Sequence, residues 1–159
     1  MAEFNMKSKP EGLFKWFLHA PSFIYRARLG FVFGHRLLMI EHRGRKSGTR
    51  YTTVLEVAGR KPDRNEYMVT SGTGPKADWY LNILANGIEA VWIGSQRHHG
   101  TVRSLEPTEA AEVFHRYELA HPKTAARLED TMGVSYDGTD QGRIEMMQKI
   151  PMVGITITD

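Results

Sequence analysis

Residues 42–53 read "HRGRKSGTRYTT" and set four cations, Arg43, Arg45, Lys46 and Arg50, around two glycines and a serine. The planar fork of arginine matches the oxygens of a phosphate or carboxylate, and lysine adds a point charge. Gly44 and Gly48 let the backbone turn and approach a ligand with no Cβ in the way. Ser47 supplies a hydroxyl. The stretch is not a Walker loop, because "GRKSG" lacks the Gly-x-x-x-x-Gly-Lys-Ser/Thr spacing and lies between apparent strands. A cradle for an anionic group and a solvated hairpin turn both satisfy these residues, and composition alone does not choose between them.

A second segment with chemical content is "VTSGTGPKADWYLN", residues 69–82. A strand runs into a turn made of Ser71, Gly72, Thr73 and Gly74, which delivers the start of a helix. Free backbone N–H groups there, with the helix dipole, favour an anionic or carbonyl-bearing ligand edge. Asp78 reads as the helix N-cap, where it would compete with such an anion. Trp79 and Tyr80 suit either stacking on a ring or packing in the core; by themselves they favour the core. Ser71 lacks the Gly-x-Ser-x-Gly elbow of a hydrolytic nucleophile. Seven histidines raise the question of a metal. However, His98 and His99 are adjacent and would face opposite sides of a strand, and His115 and His121 are six apart rather than three or four. No metal centre is expected.

These segments need a frame. After Gly34 the chain reads as short, β-branched or aromatic strands bounded by turns: "RLLMIEHRG", "RYTTVLEVAG", "EYMVTSG", "IEAVWIG", "RHHGTVRSL" and "PMVGITI". In the second of these, Tyr51, Thr53, Leu55 and Val57 share one face and Thr52, Val54 and Glu56 the other. Helices are expected at "ADWYLNILAN" and "EPTEAAEVFHRYELAHP", the latter with Pro107 in its first turn. Residues 123–149 read as one or two helices with "GVSYDGTD" as a loop. No strand–helix–strand unit recurs, so the pattern predicts a mainly β protein: a small antiparallel barrel of about six strands with peripheral helices.

The 159 residues suit one domain, read as residues 35–159, preceded by a 1–34 extension. Residues 12–30 mix Leu13, Trp16, Phe17 and Phe23 with Lys15, Arg26 and Arg28, and Pro21 divides them into two short amphipathic helices. They serve as a cover for the core or as a basic, aromatic surface for an anionic membrane. The residues before Met6 read as a cloning remnant. With no cysteine, disulfides, thiolate nucleophiles and cysteine zinc sites are excluded, and the chain suits a reducing cytosol. Neither a membrane-spanning stretch nor a signal-peptide pattern is present. A formal charge of +3 is too small to imply nucleic acid.

Taken together, "HRGRKSGTRYTTVL", a strand ending in "TSGTG", "DWYLNILANG" and "AVWIG" resemble the deazaflavin-dependent nitroreductase-like family, over about residues 37–105 with an echo at "KIPMVGITI". The resemblance implies a split β-barrel related to FMN-binding oxidases, and the coenzyme F(420), an 8-hydroxy-5-deazaflavin. It decides the opening question in favour of a cradle. Arg45, Lys46 and Ser47, with Arg43, Gly48, Arg50 and Thr52 close by, would receive the phosphodiester and acidic tail. Ser71 and its turn, Gly72, Thr73 and Gly74, would lie beside the ring, with Trp79, Tyr80 and Asn82 shaping the wall behind it. The lysine that family members often carry in this turn is absent, and Lys76 is its stand-in. The paired tyrosines of some relatives have no clear counterpart; Tyr117 and Tyr136 are the stand-ins.

On that resemblance, the expected activity is transfer of a hydride from reduced F(420) to a hydrophobic, conjugated acceptor: an enone, a quinone, a nitro-aromatic or an unsaturated lipid. Ser71 or backbone N–H groups would stabilise the developing negative charge, and the proton would come from Tyr136, Tyr117 or water. The alternative is a carrier that binds F(420) or FMN without turnover. The extended "EDTMGVSYDGTD" region and the amphipathic N-terminus resemble a membrane-associated branch. The expected location is therefore the cytoplasm, at the inner face of the membrane.

Overall fold

The structure, a computed structural model, describes residues 35–159. The 1–34 extension, with the amphipathic helices expected over residues 12–30, lies outside the described residues. Seven strands follow in chain order: β1 (Leu37–Arg43), β2 (Arg50–Lys61), β3 (Glu66–Thr70), β4 (Ala90–Ile93), β5 (Gln96–His98), β6 (Gly100–Ser104) and β7 (Met152–Ile157). They form one antiparallel sheet in the order β5-β4-β1-β2-β3-β7-β6. In β1 the period of two is plain: Leu38 and Ile40 enter one apolar cluster, while Leu37 and Met39 pack with Val54 and Trp92 on the other face.

β5 and β6 stand at opposite ends of that order, yet only His99 separates them in the chain. Consecutive Cα atoms are only about 3.8 Å apart, so the sheet has to curl until its edges meet. A second corner lies in β2. Its first half pairs with β1 as far as Leu37↔Glu56; from Val57 onward it pairs with β3, and the register shifts between Val57 and Gly59. The extra residue, Ala58, is a bulge that bends and twists the strand. Two corners turn one sheet into a split β-barrel.

The strand count is seven rather than the expected six. "RHHGTVRSL" is not one strand, because its halves pair with different neighbours, β5 with β4 and β6 with β7. The break also overturns the expectation that His98 and His99 face opposite ways. His99 belongs to neither strand, and both histidine Nδ1 atoms reach Asp159, at 3.3 and 3.0 Å.

Four α-helices lie among the described residues: α1 (Asp78–Asn86), α2 (Pro107–Ala120), α3 (Pro122–Met132) and α4 (Asp140–Lys149). The segment left open between one helix and two thus holds α3, α4 and a loop between them. Thr139 caps α4, its side chain accepting from the Gly142 N–H at 3.0 Å. Tyr80 and Ile83 of α1 pack into the cluster of Leu38, Ile40, Val69 and Ile155. Val113, Phe114 and Tyr117 of α2 pack with Met146 and Met147 of α4 in a second one.

Two glutamates are buried within this frame. Glu41 accepts from Trp92 Nε1 at 2.7 Å and from Arg97 Nη2 at 3.1 Å. Glu66 accepts from Arg103 Nε at 2.6 Å and Nη2 at 3.2 Å. Each buried carboxylate therefore has its arginine, as burial of a charge requires.

Candidate functional site

The cation-rich stretch is the β1–β2 hairpin loop. The strands pair up to Arg43↔Arg50. Beyond that pair Gly44 N–H donates to Thr49 O at 2.8 Å, and Gly48 N–H to Gly44 O at 2.9 Å. Gly48 has φ +71°, a conformation that other L-residues rarely adopt, so glycine closes the loop there without backbone strain. Ser47 Oγ accepts from the Thr49 N–H at 3.2 Å.

The four cations are not equivalent. Arg43 Nε donates to Glu89 Oε1, and Arg50 Nε pairs with Glu89 Oε2 at 2.9 Å. The hydrogen bond from Arg43, with smaller help from Arg50, holds the Glu89 carboxyl below its usual range. Arg45 faces α1. Its backbone N–H and its Nη1 both donate to Asn82 Oδ1, at 3.1 and 2.9 Å, and Nη1 and Nη2 each lie 3.3 Å from Asp78 Oδ1. Lys46 is exposed and has no ion pair among the described residues. Three of the four cations thus meet two carboxylates, and the excess positive charge sits at the loop tip.

Asp78 does not cap α1 as expected. Ala77 occupies the cap position without a side-chain bond, and Asp78, the first helical residue, is turned to Arg45. The competition foreseen between Asp78 and an anion is therefore moderated by the arginine. The loop and the helix start are joined by this contact.

The turn before α1 is tightly built. Ser71 N–H donates to Pro151 O at 2.8 Å, Ser71 Oγ to Gly74 O at 2.6 Å, and Gly74 N–H to Ser71 O at 3.0 Å. Ser71 is wholly buried, and its hydroxyl proton is spent inside the turn. Among the described residues no protein acceptor takes the N–H of Gly72 or Thr73, so these amides, with those of the first turn of α1, are the donors available to a ligand. Lys76 is exposed beside them. Tyr80 is a core residue, its ring edge-on to the half-buried Trp79 at 6.0 Å, and Thr52 lies opposite Glu41 in the β1–β2 ladder.

Tyr117 and Tyr136 are not brought to these loops by any hydrogen bond among the described residues. Tyr117 O–H donates to Glu56 Oε1 at 3.0 Å, and Tyr136 O–H donates to Glu118 Oε1 while accepting from Arg143 Nη2 at 3.3 Å. Burial, reinforced by the neighbouring glutamates, raises the pKa of both phenols. Tyr117 also lines an open cleft of about 340 Å³ with Val57, Met68, Val113 and His121.

His42 had no role in the sequence reading. It lies 2% exposed, with Nε2 2.9 Å from Thr53 Oγ1 and Nδ1 3.4 Å from Asn82 Nδ2. Burial lowers its pKa. The signal was its place two and four residues after Ile40 and Leu38, on the inward face of β1.

A curled seven-stranded sheet with a cationic hairpin loop locked to the start of α1 defines a split β-barrel. The family model described as F(420)H(2)-dependent quinone reductase matches residues 24–134. The chain belongs to that family, and its coenzyme is F(420). Among solved structures, one titled as an F(420)-H2 dependent reductase (FDR-A) is 21% identical with a TM-score of 0.51, over 77% of this chain and 95% of its own. Another, titled as a domain-swapped dimer, is also 21% identical, with a TM-score of 0.50, over 77% of this chain and 81% of its own. At that identity the likeness shows the fold. No curated protein matches the chain. Exposed Lys46 and Ser47 at the loop tip, and separately the amides of Gly72 and Thr73, are donors whose chemistry suits a group rich in acidic oxygens.

Proposed function

We propose that the chain reduces a quinone, or a similarly electron-poor conjugated acceptor, at the expense of reduced F(420). The observation that carries this reading is the fixing of Arg45 by Asn82 and Asp78, which leaves Lys46 and the hydroxyl proton of Ser47 at the loop tip for acidic oxygens. In this reading Lys46, Ser47 and Arg45 hold the coenzyme's anionic tail, with Arg43 and Arg50 shaping the loop through Glu89. The turn at Ser71–Gly74 faces the ring, its amides stabilising charge that develops during transfer. Ser71 acts by shaping that turn, since its own proton is given to Gly74 O. When bound, the reduced coenzyme supplies the hydride. The proton that completes reduction comes from solvent, because Tyr117 and Tyr136 already donate theirs to Glu56 and Glu118. A quinone is favoured among acceptors by the family's own description.

The test is a fluorescence titration with F(420) and with FMN, at low and high salt, followed by a reduction assay with a quinone. Tight F(420) binding that weakens with salt, weak FMN binding and quinone turnover are the expected results. Preference for FMN would overturn the coenzyme assignment. Tight F(420) binding with no turnover of quinones, enones or nitro-aromatics would leave a carrier.

A further inference from the structure

We propose that His42 is a positioning residue for the coenzyme loop, acting through Asn82, and that it holds the loop only while its imidazole is neutral; this rests on the reading of Arg45 and Lys46 as coenzyme-binding groups. Asn82 Oδ1 accepts twice from Arg45, at 3.1 Å from the backbone and 2.9 Å from the guanidinium. Those two donors decide which end of the amide is oxygen, so the end facing His42 Nδ1, at 3.4 Å, is Nδ2. An amide nitrogen only donates, and Nδ1 must therefore accept. The imidazole proton then sits on Nε2, where Thr53 Oγ1 takes it at 2.9 Å. One tautomer satisfies both contacts.

Protonation would put an N–H on Nδ1 against the amide NH2, donor against donor. The amide relieves this by turning its oxygen to His42, which withdraws it from both Arg45 donors. The loop then loses the bonds that tie it to α1. Among the described residues, the titratable and charged groups around His42 are Tyr51 of β2, with its ring 5.9 Å away, and, through Asn82, Arg45 of the loop, which in turn reaches Asp78 of α1. At the strand ends Glu89 lies with Arg43 and Arg50. Both carboxylates are paired with arginine, so neither is unpaired to draw a proton onto the imidazole. Burial works in the same direction, favouring the neutral ring.

The experiment follows protection of the Arg45 backbone amide against hydrogen exchange in coenzyme-free protein, from about pH 8 to about pH 5, a range that spans the ordinary histidine pKa. Wild type, His42→Asn and His42→Gln are compared, and F(420) affinity is measured in parallel. In wild type, protection and affinity should each fall about tenfold on acidification, equivalent to ~1.4 kcal/mol. His42→Asn, whose amide oxygen takes the place of Nδ1, should keep protection across the range. His42→Gln, which replaces only Nε2, should show low protection throughout. Protection in wild type that stays flat while the His42 ring titrates would overturn the proposal, and so would a pH dependence in His42→Asn equal to that of wild type. Loss of protection with F(420) affinity unchanged would support the His42 linkage and overturn the coenzyme reading of the loop instead.

Discussion

Gly154 of β7 lies so close to Glu66 of β3 that a Cβ built on it would stand 2.2 Å from Glu66 Oε1. The buried carboxylate fits into the barrel wall only because its diagonal neighbour has no side chain. Gly154→Ala has to push Glu66 off Arg103 or open the β3–β7 ladder. A loss of about 1–3 kcal/mol is expected, the usual range for overpacking. Urea unfolding with an unchanged m-value checks it, and a midpoint equal to wild type would show that the wall yields freely.

The loop cations separate binding from stability. Lys46 is exposed and pairs with nothing among the described residues, so Lys46→Ala should weaken F(420) binding about tenfold at low salt, with Tm unchanged. Arg45→Ala removes donors to Asn82 and Asp78, and should lower both affinity and Tm. The salt dependence of binding should shrink in both variants. Equal F(420) affinity in wild type and the Lys46→Ala, Arg45→Ala double variant would remove this loop from the coenzyme site.

Ser71→Ala leaves Gly74 O without its hydroxyl donor in a buried turn, at a cost of about 1–3 kcal/mol. Differential scanning calorimetry should show Tm falling by several degrees, about 2–4 °C per kcal/mol for a domain of this size. Turnover should fall with it, since the Gly72 and Thr73 amides lose their setting. An unchanged Tm with lost turnover would instead mean that the hydroxyl itself touches the reacting groups.

Glu109 gives an acid-side signature. Hydrogen bonds from Arg103, then from Lys61, lower its pKa from 4.5 to about 2. A carboxyl depressed on folding contributes stability that is complete above its unfolded pKa and lost as pH falls through the folded one. Stability should therefore decline between about pH 4.5 and about pH 2, and Glu109→Gln should flatten that part of the curve. Chemical denaturation at a series of pH values measures this; equal slopes in the two proteins would show that Glu109 is not the group responsible.

Much of this protein is legible in its sequence because it is local. The apolar run at residues 37–40, the alternation in residues 51–57, glycines at the hairpin and the Pro107 start of α2 are short-range rules, and they marked strands, the hairpin and α1 and α2. The order of the cationic and Gly-rich blocks was enough to indicate the family. What local rules could not supply was the partner of each charge. Arg43 and Arg50 meet Glu89, Arg45 meets Asp78 and Asn82, and Glu66 meets Arg103, all across 33 or more positions of chain for Arg45 and 37 for Glu66. The break at His99 was equally hidden, since nothing in "RHHGTVRSL" says that its halves pair with strands on opposite edges. Burial of His42 beside Asn82 follows from the same closure. The sequence thus determined the elements and the chemistry available to them. Only the curled barrel decided which cations are spent on carboxylates and which are left exposed, because pairing between distant residues depends on where the chain returns, not on spacing.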